Sequence, residues 1–261
     1  MSLVKFDVDG QLGYLTVDNP PLNLMSQGVI DEFEEAVNQA GSADIRALLI
    51  QAEGPHFMGG ADVHVFQDRS AAQARAMFAR SLAALARLEE FPFPTVAAVQ
   101  GLCLAAGLEL ALGADILVAA ESARFAQVER HIGTTTLLGG VQRLAERAGA
   151  ARAKQIIFDG DQYSAQRFAD WNIVNHVVPD DELRPFAERL ARHYAAGPTR
   201  AFAAGKALVR GYLDGGIRNA DRAILESATP LLESADMRLG VATLLELGGR
   251  NFLGKAQFTG R

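Results

Sequence analysis

Gly101-Leu102-Cys103-Leu104-Ala105-Ala106-Gly107-Leu108-Glu109-Leu110-Ala111-Leu112-Gly113-Ala114-Asp115 is small, apolar and glycine-spaced, yet it carries two acids. An ionised carboxylate in apolar surroundings must find partners, shift its pKa or do chemistry. The plain alternative is a close-packed core helix in which a neighbour satisfies Glu109. The stretch 102–120 is long enough to imitate a membrane span, but Glu109 and Asp115 sit inside it. Such residues cost about 2.5–3.5 kcal/mol each at a bilayer centre. A buried segment of a soluble protein is the better reading.

Outward from that stretch, short apolar strands alternate with helices. Leu3–Asp9 and Leu12–Asp18 read as a hairpin around Gly10, ended by Asn19-Pro20-Pro21. Val29, Ile30, Phe33 and Val37 have helical spacing, with Ser26 as N-cap, and predict a helix to about Ala40. Ala47–Gln51, Thr95–Val99 and Ile116–Ala120 read as buried strands, and Ala71–Glu90 as an alanine-rich helix. Gly54–Asp62 is a loop with adjacent glycines, which let backbone approach a ligand, and Asp62 can cap the segment after it.

Phe125–Glu129 reads as strand or loop, Gly133–Thr136 as a loop, and Gly139–Arg147, Ala150–Phe158 and Ser164–Ala169 as helices. Ile173–Val178 reads as a strand closed by Pro179, after which the chain is almost wholly helical, with breaks near Gly197-Pro198 and Gly215-Gly216. The pattern predicts an α/β unit followed by a helical C-terminal region.

Composition removes several classes of function. The 261 residues carry a net charge of −6 with no basic or acidic tail, which argues against nucleic-acid and anionic-membrane partners. The first ten residues lack the apolar core of a secretory signal. A single cysteine, Cys103, excludes an intramolecular disulfide and a CxxC metal site, and fits a reducing, cytoplasmic setting. Flanked by leucines, it reads as an inert buried thiol. The five histidines are scattered, so no metal site is expected. No GxG, GxSxG or HExxH occurs, and the near-match to a phosphate loop at 249–256 lacks its final Ser or Thr.

One constellation survives. Ala106 falls at a helix start, where backbone N–H groups are unpaired, and Glu109 lies three residues on, facing the same side. The Gly59-Gly60-Ala61 loop follows another strand and can supply a second N–H, completing an oxyanion hole worth about 3–4 kcal/mol per donor. Glu129 follows the next strand, so a second carboxylate can converge on the same place. Two carboxylates around an oxyanion hole suit proton movement at the carbon beside a carbonyl.

In the order and spacing of its segments the chain resembles the crotonase (enoyl-CoA hydratase/isomerase) superfamily over nearly its whole length. Those segments are 19–24, 57–63, 94–101, 106–111, 114–116, 125–129 with Gly133, 139–144 and 173–179. The resemblance implies a spiral of ββα units over residues 1–195. It implies a helical trimerisation region over 196–261, packed as a homotrimer or a dimer of trimers. It implies an acyl-CoA thioester substrate, coenzyme A being part of that substrate and no separate cofactor being needed. The thioester oxygen would accept from the N–H groups of Ala61 and Ala106, with Leu24, Gly60, Asp62, Val63 and His64 completing the substrate and coenzyme A site.

Glu109 and Glu129 fall on the two family glutamates that hold the attacking water, which implies enoyl-CoA hydration. Double-bond isomerisation and carbon–carbon cleavage or hydrolysis of an acyl-CoA are the alternatives on the same scaffold, and acyl-CoA binding without turnover is a third. The chain departs from the family pattern at Val128, where proline is frequent, and at Thr135-Thr136-Leu137, where Ile-Pro-Gly is common. Arg130 and His131 bring charge where apolar residues are usual, and His64 stands where a lysine is common.

Overall fold

The computed structural model describes residues 2–261. Strands β1 (Val4–Asp9) and β2 (Leu12–Val17) form the expected antiparallel hairpin. Helix α1 (Gln27–Ser42) starts where the Ser26 side chain accepts from the Val29 N–H, and buries Val29, Ile30, Phe33, Val37 and Ala40. Strand β3 (Ala47–Ala52) pairs parallel with β2. Helix α2 (Ala71–Glu90) opens on a Ser70–Gln73 capping box, which satisfies two end donors reciprocally.

Then come β4 (Thr95–Val99), β5 (Leu102–Leu104), α3 (Ala106–Leu112), β6 (Ile116–Ala120), β7 (Arg124–Ala126), α4 (Gly140–Ala148) and α5 (Ala150–Asp159). They are followed by β8 (Tyr163–Ser164), α6 (Ala165–Asp170), β9 (His176–Val178) and α7 (Leu183–Ala195). Helices α8 (Thr199–Gly215), α9 (Ile217–Ser227) and α10 (Ala235–Leu247) complete the chain.

Six strands make one sheet in the order β1-β2-β3-β4-β6-β9, parallel from β2 onward. Both faces of β3, β4 and β6 are covered, which is why these strands read as unbroken apolar runs. Strands β5, β7 and β8 form a second, smaller sheet. The chain steps from β4 into β5, and again from β6 into β7, so consecutive strands are shared between the two sheets. This is the ββα winding expected from the resemblance.

Two elements differ from the sequence reading. Leu102–Leu104 is a strand in front of α3, three residues being too few to show a period. The strand at 173–178 shrinks to its last three residues, because Asn172 turns through a positive φ of 61° and the N–H groups of Ile173 and Val174 bond back to Phe168 O.

The second acid of the opening stretch is structural. Asp115 Oδ2 accepts from Thr95 N (2.8 Å), Thr95 Oγ1 (3.0 Å) and Lys206 Nζ (2.7 Å). It thereby ties the starts of β4 and β6 to α8. Helix α7 packs against the large sheet, while α8 packs chiefly on α9. Among the described residues no helix is long and apolar enough to cross a membrane.

Candidate active site

The site begins at Gly101, whose φ is +55° and whose added Cβ would lie 2.1 Å from Pro55 O. That close approach seats residues 57–58 along β5: Phe57 N donates to Gln100 O, Met58 N to Leu102 O, and Leu104 N to Met58 O. The Gly59-Gly60-Ala61 turn therefore leaves next to the end of β5, and Met25 clamps it by donating to Gly60 O (2.9 Å) and accepting from Asp62 N (3.1 Å). At the same end, Ala105 adopts φ 48° and ψ −119°, a conformation costly for a residue with a Cβ, of order 1–3 kcal/mol. Its N–H is fixed to Ala126 O, and its carbonyl accepts from Glu109 N. The strained turn places Ala106 in the lining of the same cavity as Ala61. Neither N–H donates within the fold among the described residues.

Gly107 is the contact point between these two loops. A Cβ there would stand 2.6 Å from Met58 O and 2.7 Å from Met58 Cβ. Gly107→Ala is expected to push the Met58–Ala61 segment off β5, costing about 2–3 kcal/mol of stability. Denaturant titration checks the loss, and a variant as stable as the parent would refute the tight approach.

Glu109 lies one turn into α3 and is 2% exposed. Its Oε1 accepts from Leu138 N (2.8 Å) and Gly140 N (2.9 Å). Burial raises its pKa; the N–H groups of Gly140, Leu138 and Leu137 and the charge of Arg143 oppose that rise. Gly140 is tightly enclosed, since an added Cβ would meet the end of the Gln127 side-chain amide at 2.5 Å and Glu109 Cγ at 3.0 Å.

Glu129 opens a 3-10 turn over Glu129–Ile132. Burial is the main cause that lifts its pKa to about 7; its own backbone N–H opposes the rise and the charge of Glu109 adds to it. The side chain of Gln127, 1% exposed, donates to both Glu129 oxygens at 2.7 and 3.0 Å with its nitrogen turned to the carboxylate. Arg130 anchors the turn by donating to the Phe158 and Asp159 carbonyls at the end of α5, and His131 lies 3.3 Å from Gly160 O. The two basic residues that depart from the family pattern thus cap a helix C-terminus rather than facing the cavity.

The cavity of about 220 Å³ is lined by Gly60, Ala61, Val63, Ala106, Glu109 and Glu129 among the residues the sequence singled out. Leu24, Asp62 and His64 lie outside its lining. Asp62 accepts from the His64 N–H (3.0 Å) and pairs with the His64 ring (2.6 Å), both at the surface. Val128, Thr135 and Leu137, three of the departures, do line the cavity. Its apolar wall was not read from the sequence: it is formed by Met25, Ile30, Phe66, Met77 and Phe78. The i, i+1, i+4 spacing of Met77, Phe78 and Ser81 along α2 is the signal that held it.

Cys103 is fully buried, and desolvation pushes its thiol well above its ordinary pKa, which removes it as a nucleophile. Among the described residues no cluster of His, Cys, Asp or Glu is arranged to hold a metal ion.

Two carboxylates and two backbone N–H groups at one apolar cavity, carried on the loops and helical turns that follow the strands of this two-sheet winding, fit an enzyme of the crotonase type. The chain belongs to the enoyl-CoA hydratase/isomerase family, whose pattern matches residues 7–253. It is 30% identical over 258 residues to the crotonyl-CoA hydratase of Syntrophomonas wolfei, covering 97% of this chain and 98% of that one. It is 31% identical over 274 residues to the 1,2-epoxyphenylacetyl-CoA isomerase of Escherichia coli, covering 98% and 100%. The crystal structure of an enoyl-CoA hydratase from Mycobacterium smegmatis superposes with a TM-score of 0.88 at 26% identity, over 94% of this chain and 97% of that one.

Proposed function

We propose that the protein hydrates a 2,3-unsaturated acyl-CoA by syn addition of water through an enolate. The observation that carries this reading is the pair Glu109 and Glu129 on one cavity with the Ala61 and Ala106 N–H groups. In this reading the thioester oxygen accepts from both N–H groups, which stabilise the negative charge as it develops. Glu109, held at Oε1 by Leu138 and Gly140, presents Oε2 to the water and activates it. Glu129, with a pKa of about 7, carries the proton to the α-carbon near neutral pH. The acyl group lies against Met25, Ile30, Phe66, Met77 and Phe78, and the coenzyme A tail leaves over Gly60–His64, passing Leu24. Coenzyme A enters and leaves with the substrate, so the reaction needs no separate cofactor.

Double-bond isomerisation is the second reading, supported by Leu137 lining the cavity beside Glu109 and by the equal likeness to an isomerase. A panel of short, medium, branched and aromatic enoyl-CoAs in heavy water separates the two. A gain of one water is the expected result; α-deuteration without water uptake would transfer the assignment to isomerisation, and binding with neither would end the enzymatic reading.

The same reading divides the chain at residue 195 into a catalytic unit and an association region that builds a cytoplasmic homotrimer or dimer of trimers. It is supported by the apolar side chains that the last helices leave exposed, Ile217, Leu225, Leu232 and Leu245 among them. The single buried cysteine suits a reducing compartment.

A further inference from the structure

Glu109 does not hold itself in place; the 138–140 turn does, through two N–H groups on one carboxylate oxygen. The same turn is gripped from its other side. Arg143 Nη1 donates to Leu138 O (3.1 Å) and Gly139 O (3.2 Å). The turn needs glycine there, because Gly139 has φ +92° and its Cβ would fall on Arg143 Nη1. Arg143 is in turn locked by a two-pronged pair with Glu89 at the end of α2, Nε to Oε1 at 2.6 Å and Nη2 to Oε2 at 2.7 Å. Its side chain is only 14% exposed, so this fork is far from an ordinary surface ion pair.

The charges around Glu109 are few. Glu129 faces it from the 3-10 turn, and Arg143 faces it from α4, with Glu89 of α2 behind the arginine. From α1 and α2, Glu34 pairs with Arg80 and Arg87, across a small apolar pocket lined by Leu110 and Leu138.

We propose that Arg143, held by Glu89, is a positioning residue for Glu109: it fixes the turn whose N–H groups grip Oε1 and sets a positive charge behind that turn. The role rests on the proposed part of Glu109 in hydration. The arginine touches neither substrate nor water. Its peptide contacts aim the two N–H groups, and its charge offsets part of the penalty that burial imposes.

Three variants separate charge from geometry. Each is followed by hydration kinetics across pH, by thermal melting, and by carboxyl ¹³C titration of Glu109 assigned with Glu109→Gln. Arg143→Met is expected to raise the Glu109 titration, because the nearby positive charge that lowers it is removed. The acid limb of kcat/KM should move up with it, and kcat should fall roughly ten- to a hundredfold with KM within about threefold. Arg143→Lys keeps the charge but not the fork, so kcat should fall while the titration stays. Glu89→Gln unties the fork and leaves the arginine charged, so kcat should fall without any rise in the titration.

A folded Arg143→Met protein whose Glu109 titrates and turns over as in the parent overturns the proposal. If that variant does not fold, an unchanged kcat in Glu89→Gln overturns it instead. A parent protein that hydrates no enoyl-CoA, yet whose Glu109 titration rises in Arg143→Met, loses the hydration reading and keeps the electrostatic link.

Discussion

Glu109→Gln is expected to lower kcat for enoyl-CoA hydration at least a hundredfold, with KM within about threefold and the fold intact. Glutamine can satisfy the cradle, its carbonyl oxygen taking the place of Oε1 and accepting from Leu138 and Gly140. The amide NH₂ is then forced to where Oε2 faced the cavity, and an NH₂ group donates to water without activating it. The ground-state shape of the site survives and the activating step does not. A hundredfold loss corresponds to about 2.7 kcal/mol of transition-state stabilisation. Steady-state kinetics on the best substrate of the enoyl-CoA panel checks it. Activity within tenfold of the parent would remove Glu109 from the mechanism.

Much of this site was legible in the residues, and the reasons are specific. Runs such as Ala47–Ala52 and Thr95–Val99 announce strands buried on both faces, so the order of elements came directly from them. Glu109 stood out because an acid inside an apolar glycine-spaced run demands an explanation. Ala61 and Glu129 were marked by their places after neighbouring strands. The structure brings both to the cavity. Asp115 raised the same alarm as Glu109 and proved to be held by Thr95 and by Lys206, the latter 91 residues along the chain. Sequence spacing does not report such distant partners.

Other features were hidden for the same physical reason, that local pattern carries no tertiary information. The positive φ of Ala105 is invisible because the residue is not glycine. The cradle of Glu109 comes from a turn about thirty residues later, and Gly140 in that turn is enclosed by Gln127 and Glu109. Helical periodicity in α2 marks an apolar face but not that Met77 and Phe78 line the cavity beside Glu109 and Glu129. Arg130 looked like an intruding charge, and only the fold shows α5 ending where its guanidinium lies.

Glu129→Gln is expected to separate stability from activity in opposite directions. The folded site raises this carboxyl from 4.5 to about 7, chiefly by burial. A carboxyl raised in this way holds its proton more tightly in the folded than in the unfolded chain. Its contribution therefore favours folding below about pH 4.5 and is lost as the pH climbs through about 7. Above that point the parent protein carries an anion that burial and Glu109 both oppose. Glutamine removes the opposition; of the two bonds that Gln127 donates to the carboxylate, the one to the remaining carbonyl oxygen is kept and the other is lost, which offsets part of the gain.

Discounted for the side chain's partial exposure, the gain at pH 8 is about 1–2 kcal/mol, or a rise in Tm of roughly 2–6 °C for a chain of this size. At pH 4.5 the two proteins should melt together. Hydration should meanwhile fall at least a hundredfold, since the amide cannot pass a proton to the α-carbon. In the parent, kcat/KM should decline above about pH 7, as Glu129 loses the proton that its proposed role has it deliver. Melting curves at the two pH values decide the point. A stability difference that is absent at pH 8, or that persists at pH 4.5, would show that Glu129 is not the group whose protonation the buried site favours.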